Sequence, residues 1–174
     1  MVEFGDFTYG YPTIHTWGEG ARLKIGRFCS IADNVQIFLG GNHRADWVTT
    51  YPFNAFLPAF SYINGHPATN GNIIIGNDVW LGADSKIMSG VTIADGAVVA
   101  ANALVSRDIN AYEIYGGVPA KFIKKRFSDE IIEKLLEIQW WNWSATDIAA
   151  AVPLLQSTDF EKLFKYHEEH IAGE

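Results

Sequence analysis

The sequence predicts a mainly β fold, a three-sided β-solenoid interrupted by one long excursion loop and followed by α-helices. Three observations predict it. Aliphatic residues recur at a strict spacing of six, first at Ile25, Ile31 and Ile37, then at Ile75, Leu81, Ile87, Ile93, Val99 and Val105. Between the two sets the repeat stops for an aromatic-rich stretch. Beyond Val105 the apolar residues cluster at helical spacing, at Ile131, Ile132, Leu135, Leu136 and Ile138.

A period of six fits neither the 3.6 of an α-helix nor plain strand alternation. It suits a short flat strand followed by a corner. Three such sides close one coil of eighteen residues, with the repeated aliphatic side chain pointing into the prism. The residues four places further on, Val79, Ser85, Val91, Ala97, Ala103 and Ile109, are mostly small or β-branched. Gly26, Gly76, Gly82, Gly90 and Gly96 fall near the corners, where glycine tolerates backbone angles that other residues resist.

Residues 4–25 read as a degenerate start of the same solenoid. Phe4-Gly5-Asp6-Phe7-Thr8-Tyr9 has the hexapeptide form, but the register is lost around Pro12–Gly20. The excursion, about residues 38–73, carries Asn42-His43-Arg44-Ala45-Asp46-Trp47 and then Tyr51-Pro52-Phe53. A loop this long inside a regular solenoid is usually functional, and its aromatic content predicts packing on the prism or on a neighbouring subunit. The repeat ends at Gly116-Gly117-Val118-Pro119-Ala120-Lys121, followed by the basic run Lys124-Lys125-Arg126. The expected division is a solenoid domain at 1–126 and a helical extension at 127–174. Ser128 with Asp129 and Glu130 marks a helix start. Ser144 with Asp147 marks a second, and Asp159 caps a third that runs to about Glu169.

Hydrophobic residues at 48% against 19% charged exclude a disordered chain. A formal net charge of −7 excludes a general nucleic-acid binder, which needs a basic face. Cys29 is the only cysteine, so no intramolecular disulfide can form. Met1-Val2-Glu3-Phe4-Gly5-Asp6 has no basic stretch or apolar core of a leader, and no window reaches the roughly 18 apolar residues of a membrane span. A cytoplasmic location is expected.

These residues resemble the hexapeptide-repeat acyltransferases, and within them the xenobiotic group of hexapeptide-type chloramphenicol and streptogramin acetyltransferases. The matching segments are Ile25 to Ile31, Gly41 to Trp47 with Thr50-Tyr51-Pro52-Phe53, Val79-Trp80-Leu81-Gly82, Gly116 to Lys121, Lys125 to Ser128, and Trp140-Trp141-Asn142-Trp143. The resemblance implies a left-handed parallel β-helix. That hand runs against the usual right-handed crossover and comes from the family alone. It also implies a homotrimer with active sites between subunits, acetyl-CoA as co-substrate, and a small-molecule acceptor. Residues 1–24 are shorter than the family's usual N-terminal region, which bears on the acceptor.

By the same resemblance His43 is the catalytic base. Direct transfer from a thioester requires a group that takes the acceptor's proton, and an ordinary imidazole titrates close to working pH. No serine or cysteine has the adjacent base that a covalent acetyl-enzyme would need. Trp80 flanks the cofactor cleft, Ala83 and Ala101 lie one coil apart along the pantetheine arm, and Arg107, Lys121 and Lys124 meet the phosphates. Asp46, Trp47, Tyr51 and Phe53 are the acceptor-side residues. No metal is required. Sugar O- or N-acetylation in surface-polysaccharide synthesis and a non-enzymatic trimeric scaffold stand as alternatives. A γ-type carbonic anhydrase would need three converging histidines, whereas His15, His43 and His66 lie in stretches that read as irregular.

Overall fold

The computed structural model describes residues 1–172. The chain divides into two compact units, one spanning Met1–Lys124 and one beginning at Lys125. In the first unit the strands are β1 (Val2–Phe4), β2 (Thr13–His15), β3 (Leu23–Ile25), β4 (Ser30–Ile31) and β5 (Gln36–Phe38), before a short helix α1 (Phe53–Phe56). After it come β6 (Ile73–Ile75), β7 (Trp80–Leu81), β8 (Lys86–Ile87), β9 (Thr92–Ile93), β10 (Val98–Val99), β11 (Leu104–Val105), β12 (Glu113–Gly116) and β13 (Lys121–Lys125).

The strands stack into three sheets, which are the three faces of the prism. The first has the order β1-β3-β6-β9, the second β13-β12-β10-β7-β4, and the third β11-β8-β5-β2. From β3 to β11 successive strands along the chain fall on successive faces, so each circuit adds one parallel rung to all three. Ile75 pairs with Ile93, Leu81 with Val99 and Ile87 with Val105, each eighteen residues apart. All nine residues of the period-six series are buried, at 3% exposure or less. Full burial of such a side chain contributes about 2 kcal/mol. The alternation is plain in β6, where Ile74 faces out between buried Ile73 and Ile75.

The corners obey the same period. Phe28, Asn34, Asp78, Asp84, Gly90, Gly96 and Asn102 all have φ between 53° and 81°. Each stands three residues after an inward aliphatic residue. The chain reverses direction there through the left-handed region, which Asn, Asp and Gly enter most readily. Gly82 has no room for a side chain: a Cβ added there would lie 2.6 Å from the Ala101 nitrogen on the next coil.

The excursion is inserted at one corner. Ile25 pairs with Ile75, fifty residues on, whereas the regular rung separation is eighteen, so thirty-two extra residues leave the prism between the third face and the first.

Two expectations need correction, and the degenerate start of the solenoid is more regular in space than in sequence. The N-terminal stretch keeps strand pairing where its hexapeptide register fails: Val2 pairs with Leu23 and Thr13 with Gln36, offsets of 21 and 23. Additional corner residues break the count and leave the rungs intact. His15 accordingly sits on β2, opposite Phe38, and not in irregular chain. Ile109 does not extend the small-residue series, because it bridges to Ile93 after only sixteen residues and so takes an inward rung position in a shortened last coil.

In the second unit, α2 (Asp129–Ile138), α3 (Ala145–Leu155) and α4 (Phe160–His170) start where the capping residues predict. The Ser144 hydroxyl accepts from the Asp147 N–H at 3.2 Å, and the Asp159 carboxylate from the Lys162 N–H at 3.2 Å. Ile132, Leu135 and Ile138 form the buried stripe of α2, while Ile131 and Leu136 are only half-buried. Trp141 and Trp143 are buried, and the Trp143 indole donates to the Ile138 carbonyl at 2.8 Å. Among the described residues no helix is long and apolar enough to cross a membrane.

Candidate active site

The excursion is tied at its root. Asn42 and Ala68 exchange two backbone hydrogen bonds of 2.9 Å in an antiparallel bridge, and the Thr69 hydroxyl donates to the Leu39 carbonyl. His43 follows that bridge directly on one strand, and His66 precedes it by two residues on the other. The two imidazoles meet edge to face, with centroids 4.6 Å apart at 77°.

The state of the His43 ring follows from its one hydrogen bond. Nδ1 lies 2.7 Å from the Thr50 carbonyl oxygen. A carbonyl can only accept, so Nδ1 carries a proton, and in the neutral ring the lone pair then falls on Nε2. The side chain is exposed, which leaves Nε2 open to an incoming hydroxyl. The partner is backbone from the same loop, so the ring orientation belongs to the fold of the excursion itself.

The residues expected on the acceptor side lie in the same excursion. Arg44 donates from Nε to Asp46 at 2.7 Å and makes a second, shorter bond from its terminal nitrogen, while its guanidinium lies 5.1 Å over the Trp47 ring. The Arg44 hydrogen bonds hold the Asp46 carboxyl down at about 2. The pair is therefore complete above the usual carboxylate range and is lost only as the pH falls through that value. Asp46 is thus engaged within the loop. Tyr51 packs on Phe53 with centroids 4.8 Å apart, and both remain about half exposed, at 54% and 47%.

The residues expected to hold the donor lie elsewhere on the prism. Trp80 faces outward from the second sheet, 54% exposed. Ala83 and Ala101 occupy the same place on successive coils, two residues beyond the paired Leu81 and Val99, at the edge between the second and third faces. The Asn102 N–H bonds to the Ala83 carbonyl at 2.8 Å, so the two coils are in direct register there. Lys121 and Lys124, both exposed, are on β13 at the end of the second sheet. Arg107 is on a different edge, between the third face and the first, which is the edge that carries the excursion. Within one chain, then, His43 and the Trp80–Ala83–Ala101 wall occupy separate edges.

Residues 72–107 match the bacterial transferase hexapeptide (six repeats) family. A chloramphenicol acetyltransferase from Klebsiella aerogenes is 42% identical over 182 residues, covering 95% of this chain and 87% of its own. A probable macrolide acetyltransferase from Lysinibacillus sphaericus is 49% identical over 142 residues, covering 79% of each chain. The chain belongs to the xenobiotic acetyltransferase group of the hexapeptide-repeat acyltransferases. A solved hexapeptide-repeat-containing acetyltransferase from Vibrio cholerae superposes with a TM-score of 0.56 at 26% identity, covering 73% of this chain and 64% of that one. The prism is thus the left-handed parallel β-helix of that family.

In this acetyltransferase two residues near His43 escaped the sequence reading. His66 was visible only as one histidine in irregular chain, and its approach to His43 depends on the root bridge. Glu19 lies in the stretch where the repeat count fails. Its carboxylate accepts from the Gly41 N–H and, at 3.0 Å, from the Trp17 N–H. The one sequence signal was the adjacent pair Gly40-Gly41, which marks a place where something approaches the backbone closely.

Proposed function

We propose that this acetyltransferase moves the acetyl group of acetyl-CoA directly to a hydroxyl of an antibiotic-like small molecule, with His43 as general base. The observation that carries the reading is the bond from His43 Nδ1 to the Thr50 carbonyl, which in the neutral ring of this exposed residue puts the lone pair on Nε2. Nε2 takes the acceptor's proton as the oxygen attacks the thioester carbonyl. The tetrahedral intermediate collapses with expulsion of the CoA thiolate, which recovers the proton from the imidazolium and leaves as CoA thiol.

The site is completed by a second copy of the chain in a homotrimer. Support comes from the separate edges of His43 and of the Trp80–Ala83–Ala101 wall, because a threefold arrangement sets the excursion edge of one prism against the wall of the next. The exposed excursion side chains Val48, Phe56 and Tyr62 fit burial in such an assembly. Trp80, Ala83 and Ala101 then line the pantetheine arm, and Lys121, Lys124 and Arg107 meet the phosphates. Trp47, under the Arg44 guanidinium, and the packed pair Tyr51 and Phe53 present ring faces to the acceptor. Chloramphenicol and macrolides, named for the relatives, are the first acceptors to test. The buried reduced cysteine, Cys29, fits a cytoplasmic enzyme.

Thiol release from acetyl-CoA, measured against chloramphenicol, a macrolide, a streptogramin and amino sugars, tests the reading. Turnover with an antibiotic supports it, and turnover confined to the sugars overturns the acceptor class. In the same assay, replacing Lys121 and Lys124 together by glutamine should raise the KM for acetyl-CoA about tenfold, as two charge-assisted phosphate contacts are lost, with the acceptor KM little changed. An effect on the acceptor KM alone would remove these lysines from the donor site.

A further inference from the structure

The bond from His43 to Thr50 fixes the ring within the excursion, but both partners move with the loop. What holds the loop to the prism is its root. There the Asn42–Ala68 bridge and the Thr69 hydroxyl are joined by a contact from another part of the chain. Glu19, twenty-two residues before Gly41, reaches the root and accepts from the Gly41 N–H with one carboxylate oxygen and from the Trp17 N–H with the other. One residue, Asn42, separates this clamp from His43.

The backbone is shaped to receive it. A Cβ on Gly40 would collide with the Glu19 carboxylate, and one on Gly41, whose φ is +77°, would collide with the Trp17 ring. The segment is anchored from behind by ring stacking, since His15 lies 4.4 Å from Phe38 and 6.2 Å from Trp17. Burial pushes the Glu19 carboxyl up, but the backbone hydrogen bonds and the facing His66 outweigh it, so the group stays anionic. Both ring nitrogens of His66 are buried without a hydrogen-bond partner. Its ring packs edge to face with that of His43, centroids 4.6 Å apart.

We propose that Glu19 is a positioning residue for acetyl transfer, acting on His43 through the Gly40–Gly41 root. The proposal rests on His43 being the base. Without the carboxylate the root loses a charge-assisted bond, and the imidazole is no longer held at a fixed distance from the thioester. A displacement near 1 Å in a reacting group costs about a hundredfold in rate.

The test uses the full chain. The turnover and the KM values of Glu19→Ala, Glu19→Gln and Gly40→Ala are measured beside His43→Ala, with amide hydrogen exchange at Gly41. Glu19→Ala should lower kcat about 10–100-fold, leave the KM for acetyl-CoA within about twofold, and expose the Gly41 amide to exchange. Glu19→Gln, whose amide oxygen still accepts from Gly41, should recover most of the rate and the protection. Gly40→Ala displaces the carboxylate while Glu19 itself is unchanged, and should reproduce the kcat loss even if Glu19→Ala does not fold. Wild-type kcat in Gly40→Ala, or a kcat loss matched by an equal rise in the acetyl-CoA KM, overturns the proposal. Full turnover in His43→Ala instead overturns the reading beneath it, and the Gly41 exchange still reports whether the clamp exists.

Discussion

The His43→Ala variant is expected to lose about a thousandfold in kcat, the range a positioned general base contributes, while its KM for acetyl-CoA and its melting temperature stay close to those of the parent. The rate loss follows because no other group near the excursion offers a lone pair in the same place. His66 has both nitrogens buried, and Asp46 is paired with Arg44. The KM is expected to be spared because the proposed donor wall, Trp80, Ala83 and Ala101, makes no use of the His43 side chain. The fold is spared because the His43 side chain is exposed, and its one hydrogen bond ends on a backbone carbonyl that water can serve equally well. Steady-state thiol release and a thermal melt on the same preparation measure both. Turnover within about tenfold of the parent would remove His43 from the base role; lost melting cooperativity would show that it holds structure instead.

Ile87→Ala should destabilise the solenoid by about 2–5 kcal/mol, whereas Lys86→Ala, one residue away, should change it by less than about 0.5 kcal/mol. The two side chains point in opposite directions from β8. Ile87 has 0% exposure and stacks between Ile37 and Val105 on the coils above and below. Truncation leaves a void that three stacked coils cannot close without shifting their shared rungs. Each coil is stabilised mainly by its neighbours, so a defect in the middle weakens the contacts on both sides. Urea unfolding of both variants gives the comparison directly. Equal effects would contradict the inward direction assigned to the period-six residues.

The regular part of the fold was legible because one physical constraint acts at every sixth residue. The inward aliphatic positions and the turn chemistry at Asn34, Asp78, Asp84 and Asn102 repeat together, and both are local. What the count could not reach was any rung whose corners differ in length. The pairing of Val2 with Leu23 and of Thr13 with Gln36 survives corner insertions that destroy the sequence period, and Ile109 takes a rung position two residues early. Strand pairing reads spatial register, not spacing along the chain. The active site divides the same way. His43, Trp80, Ala83 and Ala101 were legible as candidates through the resemblance of short motifs. The tautomer of His43 was not, since it depends on where the Thr50 carbonyl falls when the loop closes. Glu19 and His66 were missed because their contacts join segments more than twenty residues apart, in the two stretches where the repeat is silent.

The claim on which the account depends is that His43 Nε2 faces the thioester in a groove between two copies of the chain. A crystal structure of the protein with CoA and chloramphenicol bound tests it most directly. The CoA sulfur and the acceptor hydroxyl should lie together at the edge of the Ala83–Ala101 wall, with the hydroxyl oxygen within about 3 Å of His43 Nε2 from the neighbouring copy. CoA ordered along the wall of one prism with no histidine from a second copy beside its sulfur would contradict it.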